Sequence, residues 1–177
     1  MPLNSHQLRK TKLGIAKKIG ENVKKQEIVL VLDNVLDTYN IGSFFRLADA
    51  IGAQKIYLCG PCVTPPNIKI HRASIGTWKF VPWEHFENTN ECLKTLHKNG
   101  YFLVACEQDD KSLLYTKTKY KFPLALVLGS EVNGIGKNTL KNIDQIVEIP
   151  MFGVNKSLNV LVAASVISYH ILAENKA

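Results

Sequence analysis

No apolar run in this chain reaches the roughly 18 residues that a membrane-spanning helix needs. The longest lies close to the C-terminus and is broken by Ser165, Ser168 and His170. The first residues lack the apolar centre of a secretory signal, so the sequence predicts a cytoplasmic protein away from any membrane. No G-x-G-x-x-G follows a strand-like run, which removes the usual dinucleotide fingerprint. Cysteine is scarce, with four in all. Cys92 and Cys106 add no closely spaced ligand pair to Cys59 and Cys62, so no metal site is expected. Cys59-Gly60-Pro61-Cys62 does spell a redox motif, but such a thiol needs a helix N-terminus to lower its pKa. Pro65 and Pro66 follow and break any such helix, leaving a strand-end cysteine and a turn cysteine. Internal repeats and low-complexity tracts are missing too.

What is present is positive charge, unevenly placed. The net charge is +7, and residues 1–27 carry Arg9, Lys10, Lys12, Lys17, Lys18, Lys24 and Lys25 against only Glu21 and Glu27. Such an arm suits a polyanion, with RNA or DNA the commonest; a solvated basic helix is the plainer alternative. Ile15, Ile19 and Val23 recur every fourth residue, so one basic amphipathic helix is expected over residues 6–24. At 177 residues the chain makes one core-burying domain, divided here into a basic helical arm (1–27) and a main domain (28–177).

Residues 27–33 read as a buried strand, and a helix is expected from an Asn40 N-cap to Ile51, stopped by Gly52. On it, Arg46 stands close to two turns beyond Asn40, giving a polar group at a strand's carboxyl end. Residues 55–59 form the next strand. A long functional loop is expected over 60–76, then an extended stretch over 78–83 and a helix over 90–98. A strand over 101–106 and a polar surface over 109–121 follow. The strands at 124–128 and 145–149 and a helix from Ser157 to Glu174 complete the chain. This order predicts an α/β protein, a mainly parallel sheet flanked by helices.

The chemistry concentrates in the last third. The 124–128 strand empties into Gly129-Ser130-Glu131, with Gly134 and Gly136 beyond, and the 145–149 strand into Pro150-Met151-Phe152-Gly153. Ligands of open α/β sheets sit outside such strand ends. Gly136-Lys137 suggests a phosphate loop, but Glu131 stands where the first glycine is required and Asn138 where a hydroxyl belongs. A carboxylate would repel phosphate. A cationic ligand fits better, and S-adenosylmethionine is one; Glu131 as a plain turn residue is the alternative.

Three ordered motifs carry a resemblance. They are Asn40-x-Gly42-x-x-x-Arg46, then Leu128-Gly129-Ser130-Glu131-x-x-Gly134, then Ile149-Pro150-Met151 with Ser157-Leu158-Asn159-Val160 and Ala163-Ala164. Together with Arg72-Ala73-Ser74-x-Gly76 they resemble the SpoU-type (TrmH-like) RNA 2′-O-ribose methyltransferases of the SPOUT superfamily over roughly residues 28–172. The resemblance implies a C-terminal deep trefoil knot, an exception to the rule against knotted chains. It implies S-adenosylmethionine held by Leu128, Gly129, Glu131, Ile149, Met151 and Leu158, and a homodimer built on the last helix. It implies a catalytic set of Arg46, Asn40, Glu131, Ser157 and Asn159, with Arg46 working near the partner's cofactor. A guanidinium is a reluctant base, so Arg46 is expected to grip the RNA phosphate and the developing 2′-oxyanion. RNA would rest on Arg9, Lys10, Lys12, Lys17, Lys18, Arg72 and Ser74. Longer relatives carry a separate RNA-binding domain where this chain has only the basic arm, which favours tRNA over rRNA as target. A catalytically idle RNA-binding dimer on the same scaffold is the competing reading.

Overall fold

The computed structural model describes residues 2–175. Strands β1 (Ile28–Asp33), β2 (Lys55–Cys59), β3 (Trp83–Phe86), β4 (Phe102–Cys106), β5 (Leu113–Leu114), β6 (Leu124–Gly129) and β7 (Gln145–Glu148) form one sheet in the order β3-β2-β1-β6-β4-β7-β5. Every pairing is parallel. The central strands β1 and β6 are buried along their whole length, which is why both read as unbroken apolar runs.

Alternate residues of those strands feed two cores. Ile28, Leu30 and Leu32 of β1 join Leu124, Leu126 and Leu128 of β6 on one face. There they meet Phe44 and Phe45 of α3 (Thr38–Ala50) and Ala164, Ile167 and Ile171 of α7 (Val160–Glu174). Val29, Val31, Ala125 and Val127 face the other way, toward Cys92, Leu93 and Leu96 of α5 (Thr89–Lys98) and Ile135. Each large apolar side chain so buried stabilises the fold by about 1.5–3 kcal/mol. Two shorter helices, α4 (Ile68–Ala73) and α6 (Lys137–Leu140), lie in the connections after β2 and β6.

Several expected elements differ, each for a local reason. The arm is two helices, α1 (Ser5–Lys10) and α2 (Leu13–Glu21), broken where Thr11 turns extended. Buried Lys79 stabilises the break by donating to the carbonyls of Arg9 and Thr11, which a continuous helix would have used itself. The 60–76 stretch contains α4, nucleated by Asn67, whose side chain accepts from the amides of Lys69 and Ile70. Residues 78–83 begin as a 3₁₀ turn, Thr77–Lys79, before β3. The 109–121 surface includes the edge strand β5. Helix α3 starts earlier than expected because Asp37, not Asn40, caps it by accepting from the Tyr39 amide at 2.8 Å. Helix α7 starts at Val160, with Asn159 rather than Ser157 at its cap.

Candidate active site

The carboxyl ends of β4, β6 and β7 enclose a cavity of about 410 Å³, a size suited to a small organic ligand. Its wall runs from Cys106-Glu107-Gln108, through 128–131 and Gly134, to Glu148-Ile149, Met151, Asn155, 157–160 and Ala163. A neighbouring hollow of about 440 Å³ shares Gln108, Glu148, Ile149, Met151 and Asn155 with it.

The loop after β6 folds back on itself, with Ser130 and Gly134 bridged. A Cβ on Gly129 would lie 2.3 Å from the Gly134 carbonyl carbon, so only glycine fits the strand end. Gly134 has φ +61°, a left-handed backbone that glycine adopts without cost. Glu107 fastens this loop to β4: one carboxylate oxygen accepts from the Ile135 amide at 2.8 Å and the other from the Gln108 amide at 3.0 Å. The Gln108 side chain donates to the Lys156 carbonyl at 2.8 Å and holds the 151–159 loop as well.

All six residues expected to hold a cofactor, Leu128, Gly129, Glu131, Ile149, Met151 and Leu158, line this one cavity. Of the expected catalytic set, Glu131, Ser157 and Asn159 line it too. Asn40 of α3 reaches its edge: its amide nitrogen donates to Glu131, and its oxygen accepts from Asn159 at 3.3 Å. The other end of Asn159 caps α7, accepting from the amides of Leu161 (2.9 Å) and Val162 (3.4 Å). One asparagine thus ties helix start to site. Arg46 does not join this network. It is exposed and makes no hydrogen bond or ion pair among the described residues. Six residues of helix turn 600°, which leaves it 120° short of two full turns from Asn40.

Arg9, Lys10, Lys12, Lys17, Lys18 and Arg72 are all exposed. The arm lies directly on the segment that follows α4: a Cβ on Gly76 would meet the Leu8 carbonyl at 2.8 Å, and one on Gly20 the Phe80 carbonyl at 2.0 Å. Burial, with the charges of Lys79 and Arg9 nearby, pulls the pKa of His71 below 6.5. Its Nδ1 accepts from the Trp78 indole at 3.1 Å. Ser74 differs from expectation. It is fully buried, donating to the His71 carbonyl and accepting from the Gly76 amide, so it shapes the turn and presents nothing to a ligand.

Cys59 ends β2 and Cys62 lies in the turn after it, both free and buried. Cys62 is buried and donates to the Cys59 carbonyl at 3.1 Å, and burial pushes its pKa up to about 12. A hydrogen bond with Cys92 and burial drive Cys59 up further. Sequence reasoning missed Glu107, Gln108, Glu148 and Asn155. The first two follow β4 directly, so the strand-end rule that picked out Gly129 and Met151 could have found them.

The family model described as the SpoU rRNA Methylase family matches residues 27–169. The chain belongs to that family. A 23S rRNA (guanosine-2′-O-)-methyltransferase of Vibrio parahaemolyticus is 30% identical over 169 residues, covering 92% of this chain and 68% of its own. Among solved structures, the AdoMet-bound rRNA methyltransferase from Sinorhizobium meliloti superposes with a TM-score of 0.79 at 26% identity, over 94% of this chain and 59% of that one. The TrmH/SpoU tRNA modifying enzyme of A. aeolicus gives 0.80 at 26% identity, over 93% and 82%. This SpoU family member spans 68%, 59% and 58% of the length of three curated relatives it matches.

Proposed function

We propose that the chain is an S-adenosylmethionine-dependent RNA 2′-O-methyltransferase, acting on the ribose hydroxyl of tRNA in preference to rRNA. One observation carries the reading. The cofactor residues expected from the family motifs, scattered over thirty-odd positions of sequence, come together on one cavity with Asn40, Glu131 and Asn159 hydrogen-bonded at its edge. The donor set also fits the group: backbone edges, apolar walls and carboxylates suit a cationic nucleoside and not a phosphate. Bound S-adenosylmethionine supplies a methyl group already activated on a sulfonium.

The chain's own residues have three tasks. Leu128, Ile149, Met151 and Leu158 exclude water and hold the nucleoside in place, and the Gly129 turn admits it close to the backbone. Asn40, with Glu131 and Asn159, fixes the edge against which the ribose hydroxyl is aligned for in-line attack, a step that gains chiefly from orientation. Ser157 adds a hydroxyl on the same wall. Arg46 is free to grip the substrate phosphate and the developing oxyanion, and its exposure fits action on RNA held at a partner's site. The ribose proton leaves to phosphate or water.

The arm (1–27) with Arg72 forms the RNA-binding part and residues 28–177 the catalytic domain. After β7 the chain returns to pack α7 against β6 and α3, a course compatible with the C-terminal trefoil knot that the family resemblance implies. Helix α7 pairs two copies into a homodimer. No helix among the described residues is long and apolar enough to cross a membrane. As a modifier of tRNA, the protein is placed by this proposal in the cytoplasm.

The test is incubation with methyl-labelled S-adenosylmethionine and separate pools of unmodified tRNA and rRNA, followed by alkaline hydrolysis. A 2′-O-methyl blocks cleavage at its own phosphate, so label in alkali-stable dinucleotides from the tRNA pool is expected. Label only in mononucleotides means base methylation and overturns the mechanism. Absence of cofactor binding would favour the idle RNA-binding dimer.

A further inference from the structure

Three carboxylates, those of Glu107, Glu131 and Glu148, stand on the cavity wall, and no Lys or Arg lines it. Each is held by neutral donors. Glu107 accepts from two backbone amides, Glu131 from the Asn40 amide, and Glu148 from the Ser112 hydroxyl at 2.7 Å. None forms an ion pair among the described residues. Lys156 borders the adjoining hollow, and no ion pair joins it to any of the three. A carboxylate matched by a guanidinium is nearly silent toward a third charge, whereas one held by neutral amides and hydroxyls keeps its full field. That field acts across walls that include Leu128, Ile149, Val160 and Ala163, where a unit charge is felt more strongly than in bulk water.

We propose that this wall distinguishes the cationic methyl donor from its neutral demethylated product, so that methyl transfer itself loosens the ligand and empties the site. The inference rests on the cofactor reading above and adds to it a direction of exchange. S-adenosylmethionine carries a net positive charge. When the methyl group leaves for the ribose oxygen, the carbon–sulfur electron pair stays on sulfur, and S-adenosylhomocysteine is left as an uncharged thioether with no net charge. The two molecules share adenosine and amino-acid ends, so their packing and hydrogen bonds cancel in the comparison. Charge is what remains. A purely structural role for Glu107 and Glu148, as fasteners of the loops around the cavity, would change the affinity for both ligands alike.

Calorimetric titration of the full chain with each ligand decides it. The donor is expected to bind roughly five- to tenfold more tightly than the product at low salt, with the ratio shrinking as ionic strength rises. In Glu148→Gln and Glu107→Gln the ratio falls toward one, chiefly through weaker donor binding. Glu148→Gln is the cleaner variant, since glutamine still offers Ser112 an acceptor. The salt dependence of the unmodified chain is an independent measure should either variant fold poorly. Product binding as tight as the donor's, or a ratio that neither salt nor the two variants move, overturns the proposal and leaves the cofactor reading standing. Failure of both ligands to bind overturns the two together.

Discussion

Arg46 and Asp33 show how differently two charged residues near one site can serve it. The Arg46 side chain is exposed and makes no hydrogen bond or ion pair among the described residues, so it adds little to the fold. Arg46→Ala is therefore expected to leave the melting temperature and S-adenosylmethionine affinity unchanged while methyl transfer falls by roughly 10²–10³-fold, the scale of losing one oxyanion partner. Transfer assays beside calorimetry check this, and loss of cofactor affinity instead would remove Arg46 from the catalytic role. Asp33 is buried at the end of β1, beside Gly129 and Cys59 in the sheet. Burial raises its pKa above 3.8, against the opposing pull of hydrogen bonds from Thr89, the Gly136 amide and Thr139. Its folded state thus binds the proton more tightly than the unfolded chain does. The stability this gives is fully present below pH 3.8 and is lost as pH rises through the folded pKa. Compared with Asp33→Asn, the native chain should lose stability over that window and run parallel to the variant above it. Urea unfolding at a series of pH values measures the difference, and a difference constant with pH would sink the assignment.

Among the elements, the arm depends most on tertiary structure. Helices α1 and α2 bury only Ala16 and Gly20 between them, so little apolar surface holds them down. Lys79 supplies the rest: its ammonium sits where α1 ends and donates to two carbonyls, as a cation at a helix C-terminus should. Lys79→Met is expected to cost about 1–3 kcal/mol, the penalty for leaving such acceptors unpaired. It should speed proteolysis within residues 1–27 and weaken RNA binding, while S-adenosylmethionine affinity is unchanged; an arm equally protected in the variant would refute the role. The same contact marks the limit of what sequence shows. The spacing of Ile15, Ile19 and Val23 announces a helix, but the break at Thr11 depends on a lysine 68 positions away. Strands β1, β4 and β6 were legible because burial on both faces makes them continuous apolar runs. Helix α4 was not, being six residues set by the Asn67 cap and too short to show a period. In the site, motif residues were legible one by one. That Asn40 bonds Glu131 and Asn159, and that Arg46 points elsewhere, required the helix to be placed. Glu107 and Glu148 escaped because an isolated glutamate at a strand end looks like any solvated one.

At the scale of the whole molecule, α7 bears on the proposed homodimer. One side of it is buried, with Ala164, Ile167, Ser168 and Ile171 packed toward the sheet. On the other, Val162, Val166 and Tyr169 are 47%, 37% and 55% exposed, and Leu158 just before the helix is 41% exposed. These positions recur at intervals of four, four and three, so they form one apolar stripe along the outward face. A helix apolar all round belongs inside a structure, and here half of it faces outward in the single chain. The stripe begins at the cavity, since Leu158 lines it, so a second copy seated on the stripe would border the site. Val166→Glu puts an unpaired carboxylate in the middle of that seat. It is expected to raise the dimer dissociation constant roughly 100-fold, about 2.7 kcal/mol, with the monomer still folded by circular dichroism. Sedimentation velocity across a concentration series reads the assembly state, and transfer activity should fall in step with the dimer fraction. An unmodified chain that sediments as a monomer at every concentration would refute the pairing. A monomeric variant with full activity would instead keep the dimer but place the whole site, Arg46 included, within one chain.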